Sequence, residues 1–225
     1  MAQLGVKDPR EFVSRYNIAP STMVPAIRAA SEPGSREGVA LQWGLVPFWS
    51  KDAKSGAKLA NARSEGIAAK PAFREPFRKR RCVVPASGFY EWQTVGRLKQ
   101  PWFFQMTDES PFVFAGLWER WRSPDGVEVQ TCSLITTSAN EIVSPLHDRM
   151  PVILRGNTID TWLDRSISEP ALLEPLLAPL PGHEMKATPV SALVNSVRNE
   201  GPECIEPATP LAPEPPSPQL SLGLE

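Results

Sequence analysis

Only two histidines occur in this chain of 225 residues, and one of them, His147, stands in a block suited to proton transfer, Pro145-Leu146-His147-Asp148-Arg149-Met150-Pro151. An imidazole exchanges its proton near neutral pH, and a flanking carboxylate and guanidinium can orient or shift it. Two further blocks carry complementary groups. Asn61-Ala62-Arg63 brings a carboxamide and a guanidinium, and Gly88-Phe89-Tyr90-Glu91-Trp92 brings a carboxylate. Taken singly, each has an ordinary explanation: Trp43 and Trp92 fill a core, Glu91 is an edge-strand charge, and Arg63 pairs with any acid. Their joint pattern is what asks for a chemical reading.

The elements that must position these groups are bounded by composition. A chain of this length supports one well-buried domain, and its 41% hydrophobic and 22% charged content is that of a soluble globular protein. No apolar run approaches the roughly 20 residues that span a bilayer, and the start, Met1-Ala2-Gln3-Leu4-Gly5-Val6-Lys7-Asp8, lacks the pattern of a secretory signal. A cytoplasmic location is therefore expected, with no membrane partner. Cys82, Cys132 and Cys204 are odd in number and far apart, which fits reduced thiols. Without a Cys-x-x-Cys pair or a histidine cluster, no metal site is expected.

The net charge of −1 conceals segregation. Residues 51–100 carry twelve Lys or Arg against four acids, whereas residues 164–225 carry nine acids against three bases. A basic middle in a neutral chain suggests a surface that faces a polyanion, although the run Arg78-Lys79-Arg80-Arg81 alone is better explained by a solvated helix end.

Short β-branched and aromatic runs between turn signals predict strands at 23–28, 39–46, 82–85, 88–92, 101–106, 112–118, 129–136 and 152–154. Helices are expected over 65–79 despite Pro71 and Pro76, over 140–144, over 158–163 with a cap near Asn157, and over 170–177. This pattern predicts a single α+β domain over residues 1–206, a mostly antiparallel, barrel-like sheet with helices at its margins. Residues 207–218 hold six prolines in twelve positions, so 207–225 is expected to be a disordered tail.

Seven blocks occur in an order that resembles one family. They are Arg15-Tyr16-Asn17-Ile18-Ala19-Pro20, Trp43-Gly44-Leu45-Val46-Pro47, Asn61-Ala62-Arg63-Ser64-Glu65, Arg81 to Trp92, Phe114-Ala115-Gly116-Leu117-Trp118, His147-Asp148-Arg149-Met150-Pro151 and Val194 to Asn199. From about residue 12 to 206 the chain resembles the SRAP family of abasic-site processing proteins. The resemblance implies a monomeric sensor of abasic sites in single-stranded DNA that forms a covalent protein–DNA link through its N-terminal residue, without a cofactor. The exposed α-amine condenses with the open-ring sugar aldehyde to a Schiff base, and a cysteine thiol at position two closes the ring to a thiazolidine. An α-amine with a pKa near 8 is partly neutral, hence nucleophilic, at neutral pH.

Carried over by the resemblance, Glu91 is the acid/base that opens the sugar ring and moves protons around the imine. His147 assists proton transfer and reversal, and Asn61 holds the aldehyde or its hydroxyl. Arg63 clamps a phosphate, a role suited to a planar donor fork. Phe48 and Trp49 face DNA bases, and Asn17, Pro20, Arg78 and Arg149 complete the implied DNA-contacting set. The start Met1-Ala2-Gln3-Leu4 departs from the family's Met-Cys-Gly-Arg, and no cysteine precedes Cys82, itself expected to be buried and inert. Because Leu4-Gly5-Val6 resembles the end of the family's first helix, the cysteine strand and most of that helix are expected to lie upstream of Met1; the competing expectation is a natural variant that has dispensed with the cysteine. The Ala2 amine alone would give only an open Schiff base. Two other readings stand beside this one: a single-stranded DNA binder gripping through Arg63, Arg78, Arg80 and Arg81 without chemistry, and a small-molecule hydrolase using Glu91 and His147.

Overall fold

The computed structural model describes residues 13–32 and 34–212. The expectations for Leu4-Gly5-Val6, for the Ala2 amine and for residues 213–225 lie outside them. In chain order the strands are β1 (Met23–Ala29), β2 (Arg36–Trp43), β3 (Asn61–Arg63), β4 (Arg81–Ala86), β5 (Phe89–Val95), β6 (Leu98–Met106), β7 (Phe112–Arg122), β8 (Glu128–Ser138), β9 (Arg149–Pro151), β10 (Ile153–Leu154) and β11 (Met185–Pro189). The α-helices are short: α1 (Arg74–Lys79), α2 (Asn157–Leu163) and α3 (Pro170–Leu173).

Strand pairing closes a ring of five, β1-β2-β8-β7-β4, which leaves no open edge among them. Its pairings are antiparallel except that β2 runs parallel to β8, with Trp43 opposite Cys132. β3, β9 and β10 attach where β8 and β7 leave the ring. A separate antiparallel sheet, β11-β6-β5, covers one side. This is the expected α+β, barrel-like core.

Side chains alternate across a strand, and here the alternation feeds two cores. Ile27, Val83, Ala115 and Ile135 join Phe77, Trp162 and Leu173 from the helices. Their neighbours Ala26, Cys82, Phe114 and Leu134 join Phe104, Met106 and Met185 from the second sheet. A one-residue slip in any ring strand would exchange the two sets.

Four expectations need correction. The helix foreseen over 65–79 is confined to Arg74–Lys79, because Gly66 takes φ +63° and Pro71 has no N–H for a helical ladder. Over 140–144 there is a single turn, in which the Asn140 side-chain oxygen accepts from the backbone N–H groups of Ile142 and Val143. Gly156, at φ +54°, is the N-cap of α2 in place of Asn157. The tail expected from 207 begins with ordered contacts: the Ala208 N–H donates to Pro189 O at 2.9 Å, and the Leu211 N–H to the Gln100 side chain at 3.0 Å.

Arg81, the last residue of the basic run, is a structural post. Its guanidinium is buried and donates to five carbonyl oxygens, those of Phe77, Arg78, Trp162, Asp164 and Ile167. It thus ties α1 to α2 and to the loop that follows. Burial lowers its pKa to about 10. A lysine cannot serve five acceptors from one point charge. Arg81→Lys is expected to lose about 3 kcal/mol or more in urea unfolding, since several buried carbonyls lose a charged donor.

Candidate active site

β3 reaches the ring through one carbonyl. Ala60 O accepts from Trp43 Nε1 (2.9 Å), the Leu134 N–H (2.9 Å) and Ser133 Oγ (3.2 Å). β3 then runs parallel to β8, with Ala62 buried and Asn61 and Arg63 sharing the exposed face. On the other edge of β8 lies β9, so Thr136 has Arg63 on one side and Pro151 on the other. The His147 loop therefore opens beside the strand that presents Asn61 and Arg63.

The His147 ring is held by backbone. Its Nδ1 lies 2.9 Å from the Arg149 N–H nitrogen, 3.0 Å from Arg149 O and 3.4 Å from Asp148 Oδ1. A neutral ring accepts from that N–H, and a protonated one donates to that carbonyl. Either way Nε2 is left for other work, and among the described residues it has no hydrogen-bond partner. Upstream, the loop is anchored by Asn140, whose Nδ2 donates to Leu180 O at 2.8 Å.

Glu91 stands on β5, the edge of the second sheet, opposite Trp102. It is half-buried, and burial raises its carboxyl above the ordinary range, while the neighbouring His147 pulls in the opposite direction. The two groups thus interact electrostatically across 56 positions of sequence. Next to Glu91, Trp92 Nε1 donates to Asn195 Oδ1 at 2.7 Å, tying the Val194–Asn199 block to β5.

The other expected contacts divide sharply. Phe48 (61% exposed) and Trp49 (58%) project from the loop after β2, near exposed Lys51, Lys54 and Lys58. Pro20, Arg63 and Arg78 are also exposed. Asn17 is not available: it is 7% exposed, and its Nδ2 serves the carbonyls of Val194, Ser196 and Asn199 at 3.0–3.1 Å. Arg149 is committed as well, forked onto Glu65 at 2.6 and 2.9 Å and donating to Thr136 O at 2.6 Å. Arg80 pairs with buried Glu119 at 2.7 Å, and Arg81 is the post described above. Cys82 is fully buried, which raises its thiol pKa well above normal and leaves it inert, as expected. Among the described residues no group of three His, Cys, Asp or Glu could hold a metal, and no helix is long and apolar enough to cross a membrane. Sequence reasoning missed the Glu65–Arg149 fork and the Trp92–Asn195 bond. All four residues lay in the quoted blocks, but nothing in the spacing joins them.

The family model described as SOS response associated peptidase (SRAP) matches residues 1–197, and this chain belongs to that family. It is 42% identical over 198 residues to the abasic site processing protein YoqW of Bacillus subtilis, covering 87% of each chain. It is 35% identical to the abasic site processing protein HMCES of Gallus gallus, covering 85% of this chain and 66% of the relative. A crystal structure from Bacteroides thetaiotaomicron superposes with a TM-score of 0.73 at 31% identity, covering 84% of this chain and 82% of that one.

Because burial raises the Glu91 pKa, its contribution favours folding at low pH and is lost as pH rises through the folded-state value. Glu91→Gln removes an ion that burial disfavours. The variant is expected to melt above the parent near neutral pH, and the gap should close as the buffer is taken below the ordinary carboxylate range; calorimetry across pH reads this directly.

Proposed function

We propose that this protein recognises abasic sites in single-stranded DNA and processes them by Schiff-base chemistry. The observation that carries the reading is the Glu91–His147 pair: a half-buried carboxyl biased by burial toward its protonated form, within electrostatic reach of an imidazole whose Nδ1 is held by backbone. Condensing an amine with an aldehyde forms a C–N bond and then expels the carbinol oxygen as water. The expelled hydroxyl needs a proton, which a neutral Glu91 supplies; the ionised Glu91 then takes up the proton the nitrogen must lose, while the Nε2–H of a neutral His147 donates to the departing oxygen. The names of the relatives support the same substrate class. Residues 1–12, which would deliver the amine, lie outside the described part.

The surface supports a single strand. Two adjacent exposed aromatics offer a stacking platform that tolerates any base, and the lysines after them follow a phosphate backbone. Asn61 and Arg63 point from one strand face toward the same solvent side, where a carboxamide would hold the sugar hydroxyl and the guanidinium the adjoining phosphate.

The deciding experiment presents single-stranded DNA carrying one abasic site to the chain and to a version preceded by Met-Cys-Gly-Arg. The cysteine version is expected to give a mass-shifted adduct that survives denaturation. The chain itself should give an adduct only when borohydride reduces the imine. A folded cysteine version that gives no adduct sinks the reading, and equal affinity for intact and abasic strands would favour a binding module without chemistry. Trp49→Ala is expected to weaken binding by about 1–3 kcal/mol in fluorescence anisotropy. Arg63→Ala should weaken it too and reduce the salt slope by about 1.

A further inference from the structure

The fork between Glu65 and Arg149 leaves a buried guanidinium facing a carboxylate in a protein read as a DNA binder, and DNA contact does not account for it. Both Glu65 oxygens accept from Arg149, Nη2 also donates to Thr136 O, and Nε is buried with no partner among the described residues. The Arg149 side chain is 15% exposed and that of Glu65 60%. Arg149 is also the residue whose backbone N–H and carbonyl hold His147 Nδ1. We propose that Glu65 is a positioning residue that acts through Arg149 to fix the orientation and tautomer of the His147 ring. Its value to catalysis rests on the function proposed above.

A bidentate pair fixes a planar guanidinium in both direction and plane, which a single contact does not. Here the plane is fixed between Glu65, just after β3, and Thr136 of β8, so Arg149 is gripped from two elements. With the side chain locked, the backbone of 149 is held against Ser138 in the β8–β9 register, and its N–H points at Nδ1. That donor selects the neutral tautomer with the proton on Nε2, the nitrogen left to donate toward a substrate oxygen. The Arg149 hydrogen bond also holds the Glu65 carboxyl below the ordinary carboxylate range, so Glu65 stays ionised where the imidazole is active. The pair is too exposed on the Glu65 side to add much stability. Its effect is on orientation.

The test uses the whole chain and needs no substrate for its first arm. With only two imidazoles present, nitrogen-15 correlation spectra resolve both, and His183→Gln assigns His147. At about pH 8 the parent is expected to show bare Nδ1 and protonated Nε2, while Glu65→Gln shifts both nitrogens toward the averaged values of a free imidazole. Glu75→Gln, which breaks the exposed pair with Lys79, should leave the ring signals unchanged. The Glu65→Gln melting temperature is expected to stay close to that of the parent. In the cysteine-bearing version, Glu65→Gln should slow adduct formation about tenfold, but cause no further loss when His147 is already replaced by Gln. Unchanged His147 signals in folded Glu65→Gln, or equal slowing in the His147→Gln background, overturn the proposal. If no version forms adducts but the ring signals shift, the positioning stands and the proposed function falls.

Discussion

Strand β8 is longer than its neighbours can satisfy. β7 accompanies it only as far as Leu134, and β2 only as far as Cys132, yet β8 runs on to Ser138. Its last residues carry donors and acceptors that cannot be buried unpaired. β3 fills one edge at Leu134–Thr136, β9 fills the other at Thr136–Ser138, and the Val152 N–H donates to Ile135 O at 2.8 Å. The residues that close these edges are the ones with chemistry to offer: Asn61 and Arg63 on one side, and Arg149, two residues after His147, on the other. The site is the repair of an unfinished sheet.

Much of this could be read in the sequence because strands announce themselves locally. The Arg81 to Trp92 block, the aromatic runs of β6 and β7, and the turn at Ser123–Gly126 carry β-branched and aromatic composition and turn chemistry in a few residues. The parallel pairings of β8 with β2 and β3 were not legible, since they join segments some seventy to ninety positions apart and depend on closure of the ring. The stretch 65–79 has helical spacing, but Gly66 and Pro71 let tertiary packing prevail over it, so Ile67 and Phe73 reach the core from turns.

Charges were harder still. A run of four basic residues reads as one feature, but the structure gives its members separate work: Arg78 and Lys79 are exposed, Arg80 meets Glu119, and Arg81 is buried under five carbonyls. Which cation faces solvent depends on where a six-residue helix ends and a strand begins, and composition does not encode that. Asn17 makes the same point for an uncharged group. Its motif marks it for attention, yet its amide gathers three carbonyls from the 194–199 block, the segment to which Trp92 is hydrogen-bonded.

The loop carrying Phe48 and Trp49 is built unlike an ordinary surface loop. Gly44 and Gly56 approach so closely that a Cβ on Gly56 would sit 2.5 Å from Gly44 O, which locks the entry to the loop onto the turn that follows it. The Val46 N–H donates to Thr131 Oγ1 at 2.9 Å, and Trp121 Nε1 donates to Ser50 O at 2.8 Å, so both ends are fastened to the ring. Two large aromatics are thereby displayed to water on a frame already ordered before any strand arrives. A base that stacks there immobilises itself but little of the protein, so the entropy lost on contact falls mainly on the nucleic acid. On the function proposed above, a strand interrupted by a missing base would have less stacking to break in reaching such a platform.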